Sequence, residues 1–159
     1  MFQFNFVITG TQENPDGNPL PKLKMTGKQC WTPKARKYAD YKRHVRNAFW
    51  NKLQEYLAGK SQLKNKDLLE LCRSGIIDAI GTADKPINLP KGAKCKMDIT
   101  IYWKDGTHGD PENIFGAIAD ALFENDKYLA GSFDFSPANT GAGKVLVNIT
   151  FDHLLSEAW

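Results

Sequence analysis

Cysteine, histidine and long apolar runs are all scarce in this chain of 159 residues. Cys30, Cys72 and Cys95 are odd in number and form no C-x-x-C pair. That argues against a disulfide framework and a thiolate zinc cage, and for a reduced, cytosolic setting. The histidines, His44, His108 and His153, are scattered. His108 could approach a phosphate or a metal from just before an acidic motif, but it reads first as a polar loop residue. No apolar run approaches the ~20 residues of a membrane span. The opening M-F-Q-F-N-F-V-I-T-G lacks the basic start and long apolar stretch of a signal peptide. The expectation is a cytoplasmic protein with no membrane partner.

What is present fits one ordinary globular domain over residues 1–159, with 42% hydrophobic and 25% charged residues. The net charge of +3 conceals a segregation. Residues 21–46 hold nine Lys or Arg (Lys22, Lys24, Lys28, Lys34, Arg36, Lys37, Lys42, Arg43, Arg46) against Asp40, a balance of +8. Residues 104–135 hold seven acids against Lys104 and Lys127, a balance of −5. One basic and one acidic block suit a polyanion bound beside a metal site; a solvated helix face is the plainer reading of the basic run.

The local patterns predict an α+β fold with a mixed β-sheet backed by helices. Phe2 to Ile8 alternates as a strand, and residues 9–33 form a long Gly/Pro/Lys-rich loop. Thr32 as N-cap and Pro33 at the first helical position open a helix to about Leu57, stopped by Gly59. Its apolar stripe runs through Tyr38, Tyr41, Val45, Phe49, Leu53 and Tyr56. A second helix over Asp67 to Ile80 is weakened by Gly75. Met97 to Trp103 is a strand. A helix capped by Asp110 ends near Glu124, its buried stripe being Ile114, Ala117, Ile118, Ala121 and Leu122. Tyr128 to Phe135 and Lys144 to Phe151 complete the strands, and no internal repeat is visible.

The acidic block centres on H-G-D-P-E-N-I-F-G-A-I-A-D-A-L-F-E-N-D-K, which holds Asp110, Glu112, Asp120 and Asp126. Clustered carboxylates raise one another's pKa, so a density of this kind usually has a cation to neutralise it, and hard ions such as Mg²⁺ suit carboxylate oxygens. Asp110 and Glu112 can converge on one ion at the helix start, Asp126 can approach from beyond the helix, and Asn113 can lend an amide oxygen. Glu112, Gly116 and Asp120 lie four apart on one face. The plainer reading stands beside this: Asp110 caps, Glu112 favours the helix dipole, and Asp120 and Asp126 are surface charges.

The same stretch resembles the signature of the RusA-type Holliday-junction resolvases of bacteriophages and prophages, roughly D-x-D-N-x-x-K-x-x-x-D-x-L followed by D-D before a strand. A strand ending in Gly10, a basic loop and W-T-P-K-A-R-K-Y opening a helix are similar too. The resemblance covers about residues 1–57 and 95–152. Residues 60–94 look longer than the family's usual connection and read as a family-atypical insertion. Asp110, Glu112 (where the family has Asp), Asn113 and Asp120 match the motif, and Asn125-Asp126 matches its Asp pair.

The resemblance implies a RusA-like single domain acting as a homodimer on four-way DNA junctions. It implies Mg²⁺ or Mn²⁺ on Asp110, Glu112 and Asp126, with Asp120 binding or orienting. The chain would then work in the cytoplasm of a bacterial host. Lys22, Lys24, Lys28, Lys34, Arg36 and Lys37 would grip the DNA backbone. Trp31, Tyr38 and Phe115 are candidates to stack on an exposed base, Tyr38 reading first as core. Gly116 departs from the family, which usually has a Lys there that is thought to stabilise charge on the phosphate. Either Lys127 or Lys104 supplies that cation, or the chain cleaves poorly. The alternatives are a branched-DNA-binding protein with weak or no cleavage, and a metal-stabilised protein-interaction module.

Overall fold

The structure, a computed structural model, describes residues 2–10, 17–22, 32–58, 86–87, 94–105, 109–124, 129–136 and 141–152. In chain order these form β1 (Phe2–Ile8), α1 (Pro33–Ala58), β2 (Lys94–Tyr102), α2 (Pro111–Leu122), β3 (Leu129–Phe135) and β4 (Lys144–Asp152). The strands make one sheet in the order β1-β4-β2-β3. β4 is antiparallel to both β1 and β2, whereas β2 and β3 are parallel. This is the mixed sheet that the strand and helix patterns predict. The parallel pair needs a crossover, and α2 supplies it. The expected second helix over 67–80, the stop at Gly59 and most of the insertion over 60–94 lie outside the described residues.

Alternation along the strands sorts the two faces. Phe6, Ile8, Cys95, Met97, Ile99, Ile101, Val145, Val147 and Ile149 are buried on the helix side. The other side is mainly polar apart from the exposed, paired Val7 and Leu146, with Gln3 Nε2 donating to Asn148 Oδ1 at 3.1 Å and Ser132 Oγ donating to Asp98 Oδ1 at 2.6 Å. From α1, the stripe of Tyr38, Tyr41, Val45, Phe49 and Leu53 is buried as its spacing predicts, and Ala35 joins it. Phe49 meets Phe6 edge-on, with ring centroids 5.7 Å apart. From α2, Ile114, Ala117, Ile118, Ala121 and Leu122 are all buried, and so is Ala119. Each large aliphatic side chain hidden this way contributes about 1.5–3 kcal/mol.

Both helix starts follow from capping chemistry. Thr32 Oγ1 accepts from Ala35 N at 3.1 Å, and Asp110 Oδ1 accepts from Glu112 N at 3.0 Å. At its far end α2 is held by Ile87, whose N–H donates to Leu122 O and whose carbonyl accepts from Glu124 N.

The topology gathers several loops at one end of the sheet. Ile8, Val145, Ile101 and Phe135 share a rung, so β1, β2 and β3 end where β4 begins. Residues 17–22 cross this end as a strap. Gly17, at φ +71°, passes so close to Gly143 that a Cβ on it would lie 2.0 Å from the Gly143 carbonyl oxygen. A side chain at either position would push the strap off the sheet. Asn18 Oδ1 accepts from Lys104 N at 3.0 Å, Gly141 N donates to Lys104 O at 3.1 Å, and Lys22 N donates to Asn113 O at 3.0 Å.

Candidate active site

Asp110 stands at this end of the sheet as the N-cap of α2. Its Oδ1 is occupied by the cap, while its Oδ2 makes no hydrogen bond among the described residues. Glu112, in the first helical turn, is exposed. The two carboxylates lie where the positive end of the helix dipole favours negative charge. Capping and ion binding are therefore compatible at Asp110, because each uses a different oxygen.

Asp120 does not join them. It lies eight residues past Glu112, which is about 12 Å along a helix axis at ~1.5 Å per residue. Its Oδ2 accepts from Tyr38 Oη at 3.0 Å and lies 3.3 Å from Lys42 Nζ. Lys42 Nζ also sits 5.0 Å from the centre of the Tyr38 ring. Asp120 is thus tied to α1, and Tyr38 is a buried core residue whose hydroxyl serves this tie, not an exposed stacking platform. Nearby, Arg46 Nη1 donates to the Ala121 carbonyl at 3.4 Å. Among the described residues, no group of three or more His, Cys, Asp or Glu is placed to hold a metal ion. Asp126, Lys127, Lys24, Lys28, Trp31 and His108 lie outside the described residues.

The basic residues divide in two. Lys34, Arg36 and Lys37 are exposed around the first turns of α1. Lys22 is exposed as well, but it lies against the carboxylate helix. A Cβ added to Gly116 would stand 3.4 Å from Lys22 Cδ and 3.7 Å from Lys22 Cβ. The aliphatic stem of Lys22 therefore crosses α2 at Gly116, one turn from Glu112 and one from Asp120. Sequence reasoning looked to Lys127 or Lys104 for a cation near Gly116; the described lysine that lies there is Lys22. Sequence reasoning also passed over Lys42, whose four-residue spacing from Tyr38 puts both side chains on the face of α1 that meets Asp120.

Other chemistry is poorly supported. Burial pushes the Cys95 thiol up to about 12, so it remains an unreactive core thiol. Burial also raises the pKa of Tyr41 well above the ordinary tyrosine value, the Leu20 backbone beside it offsetting part of that rise. A groove of about 660 Å³ opens between β1 and α1, lined by residues such as Asn5, Val7, Asn51 and Glu55, and includes none of the candidate residues. No model of a known protein family matches the chain, and no curated protein matches it. Among the described residues, no helix is long and apolar enough to cross a membrane.

Proposed function

We propose that this chain is a metal-dependent endodeoxyribonuclease that acts on branched DNA and resolves four-way junctions by paired nicks. The observation that carries this reading is the seat of Lys22 on α2. It brings the start of the basic block onto the helix that bears Asp110 and Glu112. A phosphodiester held there meets cations and carboxylates together, which is what hydrolysis of a polyanion needs. The resemblance of the acidic motif to the RusA-type resolvases points the same way.

The residues present fit a hard cation. Asp110 Oδ2 and the exposed Glu112 carboxylate are oxygen donors, and Mg²⁺ is commonly held by one or two carboxylates plus substrate phosphate. Asp126 is the further ligand that the resemblance implies. When bound, Mg²⁺ or Mn²⁺ supplies a more acidic water and a counter-charge for the phosphate. In the hydrolysis, a water oxygen bonds to phosphorus and the bond from phosphorus to one sugar oxygen breaks. That oxygen takes up a proton, and the attacking water gives one up. Lys34, Arg36 and Lys37 on α1 hold the DNA backbone without reading its sequence. The Tyr38–Asp120–Lys42 contact keeps α1 in register with α2. A two-fold dimer presenting two such sites matches the pseudo-symmetry of a four-way junction.

The test is nicking of an end-labelled synthetic junction, with linear duplex alongside, in Mg²⁺, Mn²⁺ and EDTA. Paired nicks in the junction alone, lost in EDTA, support the reading; nicking of linear duplex at the same rate overturns its structure selectivity. A second reading, junction binding with feeble cleavage, is favoured by one observation. Asp120, the third described acid of the motif, pairs with Lys42 and lies far from the other two. Binding without nicks in any metal would select it.

A further inference from the structure

We propose that Lys22 is the site's phosphate-binding cation, carried onto the carboxylate helix by the strap of residues 17–22, and that Gly116 is the slot its stem occupies. The inference rests on the nuclease reading and deepens it. The Lys22 stem sets an upper limit on the side chain at position 116, in the middle of α2: a Cβ there meets the stem at ordinary contact distance, and nothing larger has room.

Lys22 is also not a free surface lysine. Its backbone N–H is hydrogen-bonded to Asn113 O, and Pro21 packs beside Gly109 at the mouth of the same helix. The strap is fixed at its other end by the Gly17–Gly143 approach and by the Asn18 contact to Lys104. The ammonium has no ion-pair partner among the described residues, unlike those of Lys42, Lys52 and Lys96. A cation that is anchored by its stem, one turn from Glu112, and without an ion-pair partner among the described residues is placed to take the phosphate oxygens that approach Asp110 and Glu112. Lys34, Arg36 and Lys37, on a different helix, serve the flanking backbone.

A charge-removal cycle tests this without requiring cleavage. Junctions carrying one neutral methylphosphonate, scanned through the phosphates next to the branch point, are titrated with wild type, Lys22→Met and Lys34→Met in EDTA. Lys22→Met keeps the stem over Gly116 and removes only the ammonium; Lys22→Arg restores a charge. The expected result is a loss of roughly tenfold or more in affinity for Lys22→Met, recovered in Lys22→Arg. At one branch-point position the neutral linkage should cause the same loss in wild type and no further loss in Lys22→Met. Lys34→Met should stay additive with every linkage at the branch point. Additive losses for Lys22→Met at every position would overturn the assignment while leaving junction recognition standing. Equal affinity of the wild type for junction and linear duplex would overturn the junction selectivity of the proposed function and the branch-point role of Lys22 with it.

Discussion

The hydroxyl of Tyr38 donates to Oδ2 of Asp120 at 3.0 Å, across 82 residues of sequence, with Lys42 Nζ 3.3 Å from the same oxygen. This contact joins the basic helix to the acidic one and takes Asp120 out of any cluster with Asp110. Tyr38→Phe removes a hydrogen bond to a charged group in a partly buried site, so it should cost about 1.5 kcal/mol. Asp120→Ala, which removes the shared acceptor of Tyr38 and Lys42, should cost more. Urea unfolding measures both. If either variant matched the wild-type midpoint, the contact would not be holding the helices. Cleavage measured at a temperature where Asp120→Ala is folded should persist, since the carboxylate is too far from Glu112 to share an ion.

Gly116 gives the opposite sign. An alanine Cβ there would meet Lys22 only at ordinary contact distances, so Gly116→Ala should stabilise the protein by about 1 kcal/mol through helix propensity. Gly116→Leu must displace the Lys22 stem, and should lose junction affinity while the helix itself is retained. Thermal unfolding and junction titration separate these effects. Destabilisation by alanine would mean that the strap tolerates no Cβ beneath it.

Alkaline pH should unfold the protein through its buried thiol. Cys95 is pushed up to about 12 in the folded state by burial. An unfolded thiol titrates near pH 8.5. The raised value means that stability is fully present below the ordinary thiol range and is lost as pH rises toward 12. The loss from one such group is about 1.4 kcal/mol per pH unit. Tyr41 shifts in the same direction and adds to the loss at higher pH. Urea midpoints from about pH 8 to about pH 10.5 should fall, and fall less steeply in Cys95→Ala. An equal slope in that variant would show that the thiol does not control the transition.

Replacing Lys34, Arg36 and Lys37 together with Gln should weaken junction binding and flatten its dependence on salt. The slope should drop by about 0.9 for each duplex phosphate that the variant no longer neutralises. Affinity measured across a salt series reads this directly. An unchanged slope would move the DNA track off the start of α1.

Much of the fold was legible because its signals are local. Alternation marked β1 and β2, the turn S-P-A-N-T-G-A-G separated β3 from β4, Thr32-Pro33 and Asp110-Pro111 marked the two helix starts, and three-and-four spacing identified the buried faces of both helices. Strand ends shifted by a few residues, as at β2, which begins at Lys94 and not near Met97. The strand order and the parallel β2–β3 pair were not readable, because they depend on long-range pairing. The candidate site was legible by composition but not by grouping. Placing Asp120 on the same helix face as Glu112 was correct in angle; the helix rise, which separates the two carboxylates by about two turns, decides the chemistry. Lys42 and Lys22 looked like members of a diffuse basic run. Their separate roles emerge only when α1 and the strap of residues 17–22 are folded against α2.

The proposed chemistry turns on whether Asp110 is more than a cap. Asn caps a helix about as well as Asp, so Asp110→Asn keeps the hydrogen bond to the Glu112 N–H and removes the charge. The decisive measurement is junction nicking in Mg²⁺ by this variant, with junction affinity and thermal midpoint taken on the same preparation. Nicking should fall by about a hundredfold or more while affinity and midpoint stay close to wild type. Nicking at the wild-type rate would contradict the assignment of Asp110 to the metal site, leaving it as a helix cap and placing the chemistry elsewhere.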